Sequence, residues 1–216
     1  MATVNKKKKR RKKRLKAWAA RFIFSILVIA LIVLMVYAGK KVFGMLASAG
    51  NKDVDVTTIT IAGGGAVDEV LVEPFDEAVY NGDELDKMVR ESVQAYGSDM
   101  SFDEMKMEDG NVKLFFHFKK PETLSAYHGV VFNAGTIDHL QSLGVSLPQE
   151  AVASGGKNAV VLSGLMDISD PRISEVIEVR VPKKIRYASG GAVQDPEDKK
   201  KAAVNAASAG MAVIIY

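Results

Sequence analysis

Three histidines, His117, His128 and His139, follow one another at intervals of eleven residues. Imidazole is the commonest metal ligand and the usual general base near neutral pH. A zinc protease site on one helix needs two histidines at i and i+4, and this spacing offers no such pair. His117 falls on the polar side of an alternating, Phe-rich segment, and His128 immediately precedes Gly129. A cation at a helix end of that kind suits the macrodipole. All three histidines read as incidental rather than as a shared metal site.

The other candidates are no stronger. Gly63-Gly64-Gly65 lacks the following Lys and Ser/Thr of a phosphate loop and precedes a strand-like segment, so it reads as a turn. Ser163-Gly164 and Ser189-Gly190-Gly191 do not make the G-x-S-x-G of a nucleophile elbow. Asp167-Ile168-Ser169-Asp170-Pro171 carries too few oxygens, and no closing Glu, for a calcium loop. Asp103-Glu104 and Glu108-Asp109 are possible acid pairs, but they belong to a hairpin, where carboxylates are ordinarily solvated. The chain has no cysteine, which excludes disulfides, thiolate metal sites, a cysteine nucleophile and a lipid-modified cysteine. No catalytic, cofactor-binding or metal-ligating residue is assigned, no cofactor is expected, and the chain is not read as an enzyme.

Charge is more informative than any motif. The formal net charge of +3 hides a segregation. Eleven Lys or Arg and no acid lie within Met1–Arg21, two more are Lys40 and Lys41, and from Val42 onward 16 basic residues face 26 acidic ones, a balance of −10. An acidic body does not attract nucleic acid through its overall field, so nucleic acid is not expected as a partner. Between the basic runs lies FIFSILVIALIVLMVYAG, Phe22 to Gly39, eighteen residues without a charge. As a helix it would reach about 27 Å, close to the hydrocarbon core of a bilayer. The excess of Lys and Arg on its N-terminal side predicts a cytoplasmic tail and an outer C-terminal domain.

Ala47-Ser48-Ala49 before Gly50 resembles a signal-peptidase site. Against cleavage stand an apolar run longer than a signal peptide needs and the two lysines between it and the candidate site. The reading is an uncut anchor, with Met1–Arg21 also attracted to anionic lipid of the inner leaflet. Trp18 and Tyr37 flank the span, where amphipathic rings favour the interface.

The elements beyond the span follow from periodicity. Residues 1–21 are a basic tail, 22–39 a transmembrane helix, 40–53 a stalk and 54–216 an outer domain, of one lobe or of two divided near Gly144–Lys157. Val54–Ala62 and Val67–Phe75 alternate as strands, with Pro74 marking a terminus or an edge. Asn81–Tyr96 is a helix capped by Asn81, with Leu85, Met88, Val89, Val93 and Tyr96 as its apolar stripe and Gly97 at its end. A turn at Asp109-Gly110 sets Met107 opposite Val112 and Met105 opposite Leu114. Phe102 is out of phase with that register, which predicts a late start or a bulge. Short helices are expected at Pro121–Tyr127 and Thr136–Leu143, with a short buried strand over Val130–Phe132 between them. Leu147–Lys157 is weakly patterned, with a loop at Ser154-Gly155-Gly156. Strands are expected at Ala159–Leu162, Val176–Val181, Ile185–Ala188 and Met211–Tyr216, and a helix within Asp195–Ala207. The aromatics lie inside these alternating patterns, as core residues do, rather than forming a sugar-stacking platform. The mixed order predicts an α+β domain with a mainly antiparallel sheet and packed helices.

Two stretches, VEPFDEAVYNGDELDKMVRESVQAYG and GNVKLFFHFKKPETLSAYHGVVFNAGTID, resemble a group of surface lipoproteins of Gram-positive gut bacteria that has no assigned activity. The resemblance covers Val56 to Gly144 and, more loosely, the closing strands to Tyr216. It implies a domain held at the cell surface, and it carries over no functional residue. Such proteins often have a lipobox cysteine. This chain has none, so the Phe22–Gly39 span would supply the anchor. The expectation is a single-pass envelope protein whose outer domain is a non-catalytic binding or interaction module. The alternatives are an anchored hydrolase with an unidentified carboxylate site and a structural partner of a membrane complex.

Overall fold

Alternating apolar and polar residues build two sheets. A computed structural model describes residues 53–163, 176–205 and 211–216. The basic tail, the Phe22–Gly39 span, most of the stalk and the Asp167–Pro171 run lie outside the described residues. The domain is α+β. Its first sheet runs β3 (Met100–Glu108), β4 (Asn111–Phe118), β2 (Val67–Pro74), β1 (Thr58–Ile61), β7 (Val176–Arg180), β10 (Lys201–Asn205) and β9 (Ala192–Gln194). The second runs β5 (Val131–Thr136), β6 (Asn158–Ser163), β11 (Ala212–Ile215) and β8 (Tyr187–Ser189). Their pairings are antiparallel except for the parallel contact of β1 with β7.

Four α-helices are described: α1 (Gly82–Gln94), α2 (Pro121–His128), α3 (Ile137–Ser142) and α4 (Gln149–Ala153). Asn81 caps α1, its side chain accepting from the N–H groups of Asp83 and Glu84 at 2.9 and 3.3 Å. Pro121 opens α2, where its missing N–H costs nothing, and Gly129 closes it at φ 68°. The short strand expected over Val130–Phe132 is longer, running to Thr136, whose hydroxyl caps α3 by accepting from His139 N–H.

One core unites the two sheets. Val67, Leu114, Phe116 and Phe118 from the first sheet join Phe132, Leu162 and Ile214 from the second, with Val89 and Val93 of α1 and Leu124 of α2. The far face of the second sheet is covered by a smaller cluster that includes Leu140 and Ala151 from α3 and α4. As expected for core aromatics, Phe102, Phe116, Phe118 and Phe132 are all buried.

The β3–β4 hairpin has the register its turn dictates, with Met107 opposite Val112 and Met105 opposite Leu114. The phase conflict at Phe102 is resolved by a register shift between Phe102 and Glu104. Pro74 is the last residue of β2, a strand flanked by β4 and β1, so it marks a terminus and not an edge.

Two expectations need correction, and a third segment is more ordered than its pattern indicates, with its Ser154-Gly155-Gly156 loop in place. Asp195–Ala207 contains the strand β10 and not a helix. Its Lys and Ala favour a helix locally, but Ala202 and Val204 alternate inward against β7 and β9, and pairing overrides propensity. Within the weakly patterned Leu147–Lys157, Gln149–Ala153 forms α4, whose Ala151 is fully buried. Met88 is not part of the buried stripe and is 61% exposed. At 100° per residue it lies about 60° from Leu85, on the far side from Val89 and Val93, so it sits on the flank of α1.

Phe116 is 3% exposed and packs against Phe102, Phe118 and Tyr127, with ring centroids 5.4, 6.1 and 5.4 Å away. Phe116→Ala is expected to lower unfolding free energy by about 3–5 kcal/mol, measured by denaturant titration. An unchanged midpoint would mean that this face of β4 is not core.

Candidate functional site

Strand β2 carries two adjacent acids, Asp68 and Glu69, and a pleated strand must send them to opposite faces. Each meets a histidine. Asp68 stands directly across from His117 in the β2–β4 ladder, and its Oδ1 lies 2.6 Å from His117 Nδ1. Glu69 points into the core side, where its Oε2 lies 2.7 Å from Nε2 of His128, the last residue of α2. The Glu69 side chain is only 4% exposed. A carboxylate buried that deeply is tolerated when it is paired and costs several kcal/mol when it is not. The His128 ring is itself set among aromatics, its centroid 5.0 Å from that of Tyr127 and 6.3 Å from that of Phe118.

Both histidines bind their protons more firmly than free imidazole. For His117 the hydrogen bond to Asp68 is the main cause, opposed by partial burial and aided by the charge of Asp68. For His128 burial works in the opposite direction, but the hydrogen bond and charge of Glu69 outweigh it. His128 and His117 therefore tie β2 to a helix on one face and to its neighbour strand on the other. His139 stays apart in α3. Among the described residues no three His, Asp or Glu side chains are grouped to hold a metal ion.

The outer face of the first sheet carries one polar row. Ser101, His117, Asp68, Thr60, Arg180 and Lys201 are consecutive register partners on six neighbouring strands. Serine, histidine and aspartate side by side invite comparison with acyl-transfer enzymes, where the hydroxyl must bond to the imidazole. Here Ser101 Oγ donates to Asp103 at 3.3 Å, and Arg180 is held by Glu178. The acid pairs of the hairpin are also separated. Glu108 meets Lys113 at 3.2 Å, while Asp109 takes the turn at φ 52°. Gly63-Gly64-Gly65 forms the turn between β1 and β2, with Gly65 N–H donating to Ala62 O. Gly190 turns β8 into β9 at φ 65°, where a Cβ would come within 2.0 Å of the Met211 carbonyl oxygen.

A second feature lies where β2 leaves the first sheet for α1. An open depression of about 460 Å³ is lined by Glu77–Asp83 and by Met107. Its shape is fixed locally. Asp76 Oδ1 accepts from Ala78 N–H at 2.9 Å, and Asp76 O accepts from the N–H groups of Val79 and Tyr80 at 3.0 and 2.9 Å. This turn pushes Val79 and Tyr80 outward, leaving them 68% and 56% exposed, with Tyr80 resting on the ring of Phe75. Met107 reaches across the first turn of α1. A Cβ on Gly82 would lie 1.9 Å from Met107 Cε, so glycine at that helix position makes room for it. Asn81 and Met107 are legible in the sequence as a helix cap and a hairpin pair, but Val79 and Tyr80 are not, because an exposed Val-Tyr pair between a strand and a cap looks like ordinary loop.

The chain matches no family model, no curated protein and no solved structure.

The histidine pairs make a pH prediction. Because the folded-state pKa of each histidine is raised, the stability they contribute is complete below the unfolded value of about 6.5 and is lost as pH rises through the folded values. The melting temperature is expected to fall from pH 6 to pH 8.5, and the double variant His117→Gln/His128→Gln is expected to lose most of that slope. A melting temperature that rises over this range in the unaltered chain would contradict the assignment.

Proposed function

We propose that this chain is a single-pass envelope protein whose outer α+β domain is a non-catalytic binding or interaction module. The observation that carries the proposal is the charge step across Phe22–Gly39. Eleven basic residues precede an uncharged span of eighteen, and the chain beyond Val42 carries −10. That arrangement is how a signal anchor orients itself, with Met1–Arg21 in the cytoplasm and the remainder outside. Among the described residues no helix is long and apolar enough to cross a membrane, and the span lies outside them. The resemblance to surface lipoproteins points the same way, with the span replacing a lipid-modified cysteine.

The interaction reading is supported by the apolar residues gathered at the Glu77–Asp83 depression. Val79, Tyr80 and Met107 remain exposed on a turn and a hairpin that are themselves well tied down. Rigid, exposed apolar groups with polar surroundings are what protein-recognition sites use. The basic tail has its own partner in this reading, the anionic inner leaflet.

Two measurements test the proposal. Protease added to intact protoplasts is expected to digest the domain beyond Lys52 and to spare Met1–Arg21. Survival of the outer domain while a known surface control is cut would rule out the topology. Photo-crosslinking from position 79 or 80 in native membranes is expected to give a discrete adduct with another envelope component. Adducts with lipid and wall fragments alone would rule out the interaction module.

A further inference from the structure

The strands of the first sheet end in two differently charged borders. β1, β4, β7 and β9 run one way and β2, β3 and β10 the other, so their connections fall at opposite ends. At the end where β1 begins, the described connections are 53–57, 75–81, 109–110 and 190–191. They carry Asp53, Asp55, Asp76, Glu77 and Asp109 and no Lys or Arg, although Lys113 of β4 reaches back to Asp55 at 3.8 Å. At the end where β1 stops, the connections are 62–66, 97–99, 119–120, 181–186 and 195–200. They carry seven cations against four acids, Asp99, Asp195, Glu197 and Asp198. The cations are Lys119, Lys120, Lys183, Lys184, Arg186, Lys199 and Lys200, and each is exposed.

Two of the four acids are turned onto the backbone. Asp195 Oδ1 accepts from the N–H groups of Glu197 and Asp198 at 2.7 and 3.0 Å, and Asp198 Oδ1 accepts from Lys200 N–H at 2.9 Å. Among the described residues no carboxylate lies within ion-pair distance of Lys183, Lys184, Arg186 or Lys200. The cations are held on a fixed frame. Val181 N–H donates to Lys200 O at 2.9 Å and Ile185 N–H to Lys199 O at 2.7 Å, with Val181 and Ile185 buried. Pro182-Lys183-Lys184 is thereby looped out beside Lys199-Lys200.

Along this border the strand order is β4, β2, β1, β7 and β10. At about 4.8 Å per strand, the row from Lys119-Lys120 through Lys183-Lys184 to Lys199-Lys200 is about 19 Å long. The Gly63-Gly64-Gly65 turn stands within it and raises no side chain. A row suits an extended polyanion better than a compact ion. Six of the seven cations are ammonium groups, point charges that match phosphate without the fork that arginine offers a planar carboxylate. These connections contain no aromatic residue on which a nucleic-acid base could stack. The acids of the opposite border lie about a strand length away, roughly 13 Å, beyond the Debye length of about 8 Å at 0.15 M salt. The negative charge of the whole domain therefore does not cancel the row.

We infer that the border carrying Lys119, Lys120, Lys183, Lys184, Lys199 and Lys200 docks a linear polymer bearing phosphate groups. The inference rests on the binding-module reading above and adds the chemistry of the partner.

The test is a lysine-acetylation footprint read by mass spectrometry, on the full-length chain in neutral detergent at 0.15 M salt, with and without excess linear polyphosphate. The basic Met1–Arg21 also attracts polyphosphate, so the readout is taken residue by residue. Acetylation of Lys183, Lys184, Lys199 and Lys200 is expected to slow at least threefold, and that of Lys87 and Lys106 to stay unchanged. Salt at 1 M should abolish the protection. Lys183→Gln/Lys184→Gln should at least halve the protection of Lys200 while leaving the melting curve in place.

Unchanged acetylation along the row, or equal slowing at Lys87 and Lys106, would overturn the site. Equal protection by polyglutamate would overturn the choice of phosphate, and equal protection by duplex DNA would reassign the row to nucleic acid. The same protection in anionic-lipid nanodiscs without polymer would reassign it to a membrane surface. The photo-crosslink from position 79 or 80 keeps the two levels apart. An adduct without a footprint keeps the interaction module and removes this border, whereas a footprint without an adduct keeps the border and removes the envelope partner.

Discussion

The ladder between β2 and β4 is the constraint on which the rest of the domain depends. It pairs every residue from Val67 opposite Phe118 to Pro74 opposite Asn111. Because the side-chain period of a strand is two, a slip of one residue would turn every side chain to the wrong face. In this ladder a slip would do more than expose Phe116 and Phe118. It would separate Asp68 from His117 and leave Glu69 in the core without His128. The two acid–histidine pairs therefore penalise the wrong register from both faces of the sheet. A buried ion pair adds little net stability compared with an apolar pair, but breaking one is costly, and that asymmetry gives it value in specifying a single arrangement.

Much of the fold was legible because its signals are local. The Asn81 cap, the Pro121 start, the glycine after His128 and the Asp109-Gly110 turn each rest on a few neighbouring residues. The hairpin register followed from the turn, and the out-of-phase Phe102 disclosed a bulge because a strand cannot change phase without one. What failed was decided at a distance. KAAVN reads as helix until β7 and β9 are placed on either side of it. Met88 lies at the edge of the apolar stripe on a wheel, and only the packing of Val89 and Val93 inward shows that it falls outside the buried face.

The histidines show the same division. The position of His117 on the polar face and of His128 at a helix end were both readable. Their partners were not, because Asp68 and Glu69 lie 49 and 59 residues away in the chain. Nothing in composition or spacing distinguishes these two acids from the other carboxylates of an acidic domain. The depression lined by Glu77–Asp83 and Met107 was hidden for a related reason. Its residues come from a loop, a helix start and a hairpin that meet only once β4 is paired with both β2 and β3. The same ladder thus fixes the core, pairs the histidines and brings the lining of that depression together.

The most direct measurement is a double-mutant cycle on Glu69→Gln and His128→Gln, read by denaturant unfolding at pH 6. If the pair locks β2 against α2, the two changes must be coupled, with the double variant departing from the sum of the single effects by about 1 kcal/mol or more. The coupling should shrink as pH rises through the raised folded-state pKa of His128, where the ion pair gives way to a hydrogen bond between a neutral imidazole and the carboxylate. Additivity within about 0.5 kcal/mol at pH 6 would show that Glu69 and His128 do not act together, and the register lock would lose its core-side half.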